Sequence, residues 1–382
     1  TFAPKKIRRD LMIPVAIPDL SGNEERYVTD AVRSTWVSSS GAFLERFEAE
    51  FAARCETQHC LSAANGTVAL HLALLALNVQ AGDEVLMPAL TYIATANAVR
   101  YMGAVPVFVD VDPNTWCIDP TKLAAAITNR TTGIIPVHIY GHPADMDAIN
   151  AIAKQHGLWV VEDAAEAHFA KYKGRTVGSM SDIATFSFFG NKVLTSGEGG
   201  AVTFNDSSLL DHARSLRGQG VDISQGRYAH PIIGYNYRLT NVAAALLCAQ
   251  LERADEMISR RNAIFSAYEE RLSGIPGIGF QPVAHWAQRT PWLFCLTVDK
   301  AQFGATRDDL AIYLHKNEVE TRPLFIGLHQ QIPYRKLAAK QGTPLPVSER
   351  LSATGLNLPT FTALSEQQID KICDLIRAKA QC

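Results

Sequence analysis

Short apolar runs alternate with longer helical patterns between about residue 60 and residue 205. The short runs are apolar at successive positions, which is typical of strands covered on both faces. This alternation predicts repeated strand-helix-strand units and a mainly parallel sheet. We predict strands in DEVLMPAL, AVPVFVD, TGIIPVHIY, LWVVED, IATFSFF and GGAVTFN, and helices in TVALHLALLAL and DMDAINAIAKQHG, the second ending at Gly157.

A long helical pattern runs from Thr240 to about Leu272 and predicts one connecting helix between two lobes. Beyond it, the strand-like run WLFCLTV alternates with the helical stretches RDDLAIYLHKN and SEQQIDKICDLIRAKA. A chain of 382 residues is also longer than a domain with a single hydrophobic core usually is. We therefore expect an N-terminal segment over residues 1–25, a large domain over 26–250 and a small α+β domain over 251–382.

The composition argues against several classes of partner. The chain is 47% hydrophobic and its formal net charge is −2, so we expect neither nucleic acid nor an acidic membrane surface as a partner. No apolar run is long enough to span a bilayer, and the basic start of the chain is not followed by a signal-peptide core. Seven cysteines without a CxxC pair suit buried thiols in a reducing compartment. We expect a cytoplasmic protein.

Polar residues stand where several of the predicted strands end, and ligands of open parallel sheets gather at that edge. Asp163 ends LWVVED, Lys192 follows IATFSFF, and Tyr92 follows DEVLMPAL. The tripeptide NGT, residues 65–67, directly precedes a predicted helix. A carboxylate, a lysine, an aromatic ring and an anion seat are therefore expected to converge.

Pyridoxal phosphate chemistry needs these four groups together, because a lysine holds the cofactor as a Schiff base and a carboxylate faces its ring nitrogen. Gly66 lets the backbone approach the cofactor phosphate, Thr67 offers a hydroxyl, and the first amides of the helix face the anion. We expect Asp163 to keep the ring nitrogen protonated and Tyr92 to lie against the ring. Ser187, at the end of its strand, is expected to reach the phosphate or the ring hydroxyl.

Each of these features has a plainer interpretation when it is taken alone. NGT is commonly a turn, a strand-terminal acid is as often a cap or a salt-bridge partner, and Tyr92 fits a core position. GEGG precedes a strand and lacks the spacing of a dinucleotide fingerprint, and GNKV is not a P-loop. We expect no metal site, because no carboxylate or thiol completes a zinc set with His138, His142 or His168.

Longer stretches of the chain resemble one family of enzymes. They are NGTVALHLALLAL, TYIATANAVRYMGAVPVFVDVDPNTW, PVHIYGHPADMDAI, VVEDAAEAH, FSFFGNKVLTSGEGGAV, LRGQG and IGYNYRLTNVAAAL. In this order they resemble the pyridoxal-phosphate sugar aminotransferases of the DegT/DnrJ/EryC1/StrS family, over nearly the whole chain. The resemblance implies fold type I, the aspartate-aminotransferase-like α/β fold, with a mainly parallel sheet in the large domain and a smaller α+β C-terminal domain.

The resemblance also implies the roles of individual residues. Pyridoxal 5'-phosphate would be held by Lys192 and paired through its ring nitrogen with Asp163. The protein would be a homodimer in which each site borrows the partner subunit's Asn236. The other cofactor contacts that the resemblance implies are Gly66, Thr67 and Ser187 for the phosphate, Tyr92 for the ring face and Glu166 for the ring hydroxyl side.

The implied reaction moves the amino group of L-glutamate to C4 of a GDP-linked 4-keto-6-deoxymannose, with Lys192 as tether and general base. Dehydratases of the same keto sugar have a histidine in place of this lysine, so Lys192 favours amine transfer. A UDP- or dTDP-linked 4-keto-6-deoxy sugar is the alternative acceptor. A pyridoxal-phosphate-binding regulator without turnover is the alternative from another class.

Two segments outside the cofactor set are expected to face the nucleotide sugar. One is the hydroxyl-rich loop TWVSSSG, which contains Ser38 and Ser39, and the other is ETRPLFIGLH, which contains Arg322 and His329. A substrate with two phosphates needs hydrogen-bond donors and cations, and these segments supply both. Structural loops and salt bridges are the alternative interpretation of the same residues.

Overall fold

The computed structural model describes residues 12–226 and 228–380. In chain order the strands are β1 (His59–Ala63), β2 (Glu84–Pro88), β3 (Val105–Val109), β4 (Thr131–Ile134), β5 (Trp159–Asp163), β6 (Lys171–Tyr172), β7 (Arg175–Thr176), β8 (Ile183–Ser187), β9 (Gly200–Phe204), β10 (Ile278–Phe280), β11 (Ala287–Gln288), β12 (Phe294–Val298), β13 (Arg322–Pro323) and β14 (Gly355–Leu358). The helices are α1 (Glu24–Arg33), α2 (Ala42–Arg54), α3 (Gly66–Ala76), α4 (Ala94–Tyr101), α5 (Leu123–Ala126), α6 (Met146–His156), α7 (Ser208–Arg217), α8 (Asn241–Glu252), α9 (Ala254–Leu272), α10 (Lys300–Phe303), α11 (Arg307–Lys316), α12 (Arg335–Gln341), α13 (Pro346–Thr354) and α14 (Glu366–Ala380).

The large sheet has the strand order β1-β9-β8-β5-β4-β2-β3. Strands β3, β2, β4, β5 and β8 run parallel to one another, whereas β9 is antiparallel to both β8 and β1. Each run predicted as a strand of this sheet overlaps one, although the run TGIIPVHIY is strand only as far as Ile134. The prediction of a mainly parallel sheet is therefore confirmed.

Both faces of the large sheet are covered, which is why its strands are apolar at successive positions. In β8, Phe186 packs on one face against Phe51 of α2, with ring centroids 4.9 Å apart. Ile183 of the same strand belongs to the core on the other face, which α3, α4 and α7 cover. With the faces buried, the carboxyl ends of the strands are left to line a site.

Helix α6 begins and ends at the residues that favour those positions. The Asp145 carboxylate accepts a hydrogen bond from the Ala148 N–H at 3.3 Å and so caps the first turn. Gly157 closes the helix in the left-handed conformation, at φ +64°, which glycine adopts without a steric penalty. The predicted end of the helix at Gly157 is confirmed.

The predicted connecting helix is broken, so the prediction of one continuous helix is wrong. Helices α8 and α9 meet at Arg253, whose backbone has φ −112° and ψ 8°. Helix α8 packs against α1 and α2 beside the large sheet, whereas α9 packs against α14 in a separate core. The chain bends because its two halves bury their apolar sides in different cores, which residue periodicity cannot show.

The small sheet has the strand order β10-β12-β14-β13 and packs against α9, α11 and α14. A further short sheet has the order β11-β6-β7. The domain boundaries after residues 25 and 250 stay predictions, and the first eleven residues of the predicted N-terminal segment lie outside the described residues. In the part of the chain that the structure describes, no helix combines the length and apolar character needed to cross a membrane.

Candidate active site

A cavity of about 700 Å³ lies at the carboxyl ends of β5 and β8. Helix α3 begins at its wall, and the C-terminal part of the chain contributes residues from β13, from β14 and from the segment just before β12. The sequence-predicted residues that line it are Gly66, Thr67, Tyr92, Asp163, Glu166, Ser187, Lys192 and Arg322.

The start of α3 forms one end of the cavity. Asn65 caps this helix, because its side-chain oxygen accepts a hydrogen bond from the Val68 N–H at 3.0 Å. A Cβ atom added to Gly66 would lie 2.7 Å from the Cβ of Ser187, so only glycine allows the helix to start this close to β8. The first-turn N–H groups and the Ser187 hydroxyl thus share one small region, which suits a phosphate.

The Asp163 carboxyl group lies at the end of β5, almost fully buried. The Thr95 hydroxyl donates to it at 2.7 Å, and the Ala165 N–H donates to its other oxygen at 3.3 Å. Burial outweighs these hydrogen bonds and raises the pKa of Asp163 above its ordinary value. A protonated ring nitrogen facing this group would reverse that effect, because an opposite charge at short range favours the carboxylate.

Lys192, whose side chain is 10% exposed, and the buried Glu166 form a second pair. Lys192 Nζ lies 3.7 Å from a Glu166 oxygen, and the Tyr140 N–H donates to the other Glu166 oxygen at 2.7 Å. Burial raises the pKa of Glu166 to about 7, against the opposing effect of the lysine. Burial also lowers the pKa of Lys192. A lysine whose ammonium form is disfavoured is poised to act as a nucleophile and a base.

Three other residues of the cavity were not found from the sequence. Trp292 lies with its ring centroid 3.8 Å from Lys192 Nζ, Thr95 holds Asp163, and Asn357 of β14 lines the cavity next to Arg322. Trp292 belongs to the run WLFCLTV, whose pattern predicts an ordinary core strand. Its contact with Lys192 could not be recognised from the sequence, because the two residues are far apart in the chain and meet only in the folded structure.

Four predicted residues lie outside the lining of this cavity, and the roles of all twelve predicted residues stay predictions. Asn236 is exposed and accepts a hydrogen bond from Arg238 at 3.0 Å. His329 is half-buried, with Nε2 3.5 Å from a Glu349 oxygen. Ser39 lines a separate pocket of about 190 Å³, and the Ser38 carbonyl accepts from the Asn241 N–H at 2.5 Å.

Glu162, adjacent to Asp163, has a structural environment. Its carboxylate accepts from His138 Nε2 at 3.0 Å, from the Gly178 and Met180 N–H groups at 3.0 Å each and from Ser181 at 2.8 Å. These bonds outweigh the opposing effect of burial and lower the pKa of Glu162. Across residues 12–226 and 228–380, no three metal-ligating side chains cluster as a metal site requires.

Comparison with known proteins agrees with this geometry. The model of the DegT/DnrJ/EryC1/StrS aminotransferase family matches residues 18–377. The chain is 46% identical to GDP-perosamine synthase of Caulobacter vibrioides, over 94% of this chain and 96% of that protein. It is 44% identical to GDP-perosamine synthase of Escherichia coli O157:H7, over 95% of this chain and 97% of that protein.

A solved structure is similar over the same extent. The crystal structure of S. venezuelae DesV in complex with a ketimine intermediate superposes with a TM-score of 0.88 at 37% identity, covering 94% of this chain and 95% of that one. The fold and the cavity are those of a pyridoxal-phosphate-dependent aminotransferase of fold type I. The chain belongs to the DegT/DnrJ/EryC1/StrS aminotransferase family. The predictions of family, fold and cofactor are confirmed.

Proposed function

We propose that the protein transfers the amino group of L-glutamate to C4 of GDP-4-keto-6-deoxy-D-mannose. The product is GDP-perosamine, a sugar nucleotide for O-antigen or another surface polysaccharide. The observation that carries the proposal is Lys192, largely shielded from solvent, with Glu166 3.7 Å from its amine and Asp163 in the same cavity. The near-full-length similarity to two GDP-perosamine synthases supports the choice of sugar and base.

The residues of the cavity fit pyridoxal phosphate. The start of α3 and Ser187 would hold the phosphate, and Asp163 would hold the ring nitrogen. When bound, this cofactor supplies an aldehyde that combines with amines and a ring that accepts the electron pair left when a proton departs from a substrate carbon. Asp163 contributes the negative charge that keeps the ring nitrogen protonated.

Lys192 would hold the cofactor and then serve as the base. With glutamate bound, the freed Nζ would take the proton from the donor Cα and later give up a proton, so that it carries out two proton transfers. The same two transfers in reverse place the amine on C4 of the sugar. Trp292 and Phe325 line the cavity beside Lys192 and help to exclude water from these steps.

The alternatives are separated by an assay of amine transfer with GDP-, UDP- and dTDP-linked 4-keto-6-deoxy sugars. We expect the highest kcat/KM with the GDP sugar. A higher kcat/KM with a UDP or dTDP sugar would replace the proposed acceptor and leave the aminotransferase activity intact. A non-catalytic regulator is excluded if glutamate alone changes the absorbance of the bound cofactor and releases 2-oxoglutarate.

Arg322 supplies a cation to the wall of the cavity, and we propose that it contacts the diphosphate or the sugar. Its side chain is 46% exposed and lies 3.6 Å from Glu320, so it is available to a ligand. We expect Arg322→Ala to raise the KM for the sugar nucleotide about tenfold and to spare the glutamate half-reaction. The matched control is Arg350→Ala, an exposed arginine of α13 outside the cavity lining. An unchanged KM contradicts this role.

We also propose a homodimer whose sites each take Lys192 from one chain and the partner subunit's Asn236. Support comes from Asn236 itself, which is exposed and lies outside the cavity of its own chain. Ile233, in the same loop, is 88% exposed, as an interface residue would be in an isolated chain.

Two inactive variants are expected to restore each other if the site is shared. Lys192→Ala and Asn236→Ala chains are unfolded together and refolded as an equal mixture, so that about half of the dimers are mixed. One site of each mixed dimer is intact, so roughly a quarter of wild-type activity should return. If both parents are inactive, mixed dimers form and no activity returns, the shared site is refuted.

The cytoplasm stays our proposal for the location. Its support is the state of the cysteines, since those in the described part of the chain are free and buried, as suits a reducing compartment. These cysteines are Cys55, Cys60, Cys117, Cys248, Cys295 and Cys373.

A further inference from the structure

The amine of Lys192 lies over the ring of Trp292, a residue of the C-terminal domain. Trp292 lies two residues before β12, is 3% exposed, and has its ring centroid 3.8 Å from Lys192 Nζ. The negative face of a tryptophan ring attracts an ammonium, and the attraction is stronger where water is excluded. The amine therefore has two neighbours, the Trp292 face and the Glu166 carboxyl group.

Hydrogen bonds hold Trp292 at both its side chain and its backbone. The indole N–H donates to the carbonyl of Asn191, the residue before Lys192, at 2.9 Å. The Trp292 carbonyl accepts from Arg261 of α9 at 2.9 Å, and the same guanidinium nitrogen donates to the Thr360 carbonyl at 3.1 Å. Trp292 thereby links the turn that carries Lys192 to α9.

Arg261 is itself an unusual anchor. It is 3% exposed, and burial lowers its pKa to about 10. Burying a guanidinium is costly, and here two backbone carbonyls accept from one of its nitrogens while Nε has no hydrogen-bond partner. The hydrogen bond from this buried guanidinium holds the Trp292 carbonyl in place.

The ring of Trp292 is also held within an aromatic stack. Tyr140 is stacked on Trp292 at 5.8 Å and 15°, and on Phe325 at 5.2 Å and 13°. The Tyr140 N–H donates to Glu166. One cluster therefore orders both of the groups that flank the lysine amine.

We propose that Trp292 is a positioning residue for Lys192, whose ring face holds the freed amine in place between its two proton transfers. The inference rests on the proposed role of Lys192 as the base. The C-terminal domain, which contains Trp292, would thereby determine the position of Lys192 Nζ between the two transfers. The other titratable groups that act on this amine or lie near it are Glu166, Asp163 and His168.

The test compares Trp292→Leu, which removes the aromatic face, with Trp292→Phe, which keeps a weaker one. The full-length cofactor-free protein is labelled with acetic anhydride over a range of pH, and acetylation at Lys192 is measured by mass spectrometry. We expect the midpoint of labelling to fall by about one pH unit in Trp292→Leu and by less in Trp292→Phe, because the ring stabilises the ammonium form. This measurement does not depend on the proposed reaction.

The kinetic counterpart uses the cofactor-loaded enzyme. We expect Trp292→Leu to lower kcat about tenfold and to leave the KM for glutamate within about twofold, since an amine out of position slows proton transfer without weakening donor binding. The matched control is Trp286→Leu, because Trp286 packs on Tyr172 at 4.9 Å and on His142 at 5.5 Å instead. This control should leave the labelling midpoint unchanged.

The proposal is overturned if Trp292→Leu labels at the wild-type midpoint, or if its midpoint shifts no more than that of Trp286→Leu. If Trp292→Leu does not fold, the comparison of Trp292→Phe with wild type decides, and an unchanged midpoint overturns the proposal. A shifted midpoint in an enzyme that does not transfer amines would support the positioning role and refute the proposed reaction.

Discussion

Replacement of Lys192 by alanine is expected to lower amine transfer by at least about 10⁴-fold, because it removes the tether and the base together. The cofactor should still bind, since the start of α3, Ser187 and Asp163 remain. Glu166 should tolerate the loss, because burial raises its pKa to about 7 and its neutral form is accessible. The measurement is steady-state turnover together with the cofactor content of the purified protein.

A small primary amine added to Lys192→Ala provides a sharper test of the base. If Nζ moves the proton, an amine such as methylamine should restore part of the rate by entering the space that the side chain has left. The matched control is Lys154→Ala, an exposed lysine of α6, which should keep wild-type turnover. Turnover of Lys192→Ala near the wild-type rate contradicts the assignment.

Replacement of Asp163 by asparagine is expected to slow the glutamate half-reaction on the order of 10³-fold with the cofactor still bound. The change removes the charge and keeps the shape, and the side-chain oxygen can still accept from the Thr95 hydroxyl. Removal of one partner from a buried charge pair costs about 3–5 kcal/mol, which corresponds to this loss. Single-turnover absorbance of the cofactor after glutamate is added measures the rate.

The adjacent Glu162 is a matched control for Asp163. Both acids end β5 and are buried, but Glu162 is surrounded by donors from His138, Gly178, Met180 and Ser181. Glu162→Gln should therefore lower the thermal midpoint and leave the rate of the half-reaction within about threefold. A small rate effect in Asp163→Asn, equal to that of Glu162→Gln, would make Asp163 a structural acid.

The convergence of most residues of the predicted cofactor set could be foreseen, because each of them marks an end of a local element. Gly66 begins α3, Asp163 ends β5, and Lys192 follows β8. Strands of one parallel sheet place their carboxyl ends at one edge, so local assignments were enough to bring these residues together. Arg322 lies on a short strand of the small lobe, and its place in the cavity depends on how the lobes meet.

By itself, the sequence determined six strands of the large sheet, the end of α6 at Gly157 and the residues at the strand ends, because periodicity and capping are local. Only the tertiary structure revealed the bend at Arg253 and the contact of Trp292 with Lys192. Both depend on where the small lobe packs, and that is decided by burial of apolar surface between residues far apart in the chain. Burial likewise lowers the pKa of Lys192. The sequence alone does not show how much water will surround a side chain.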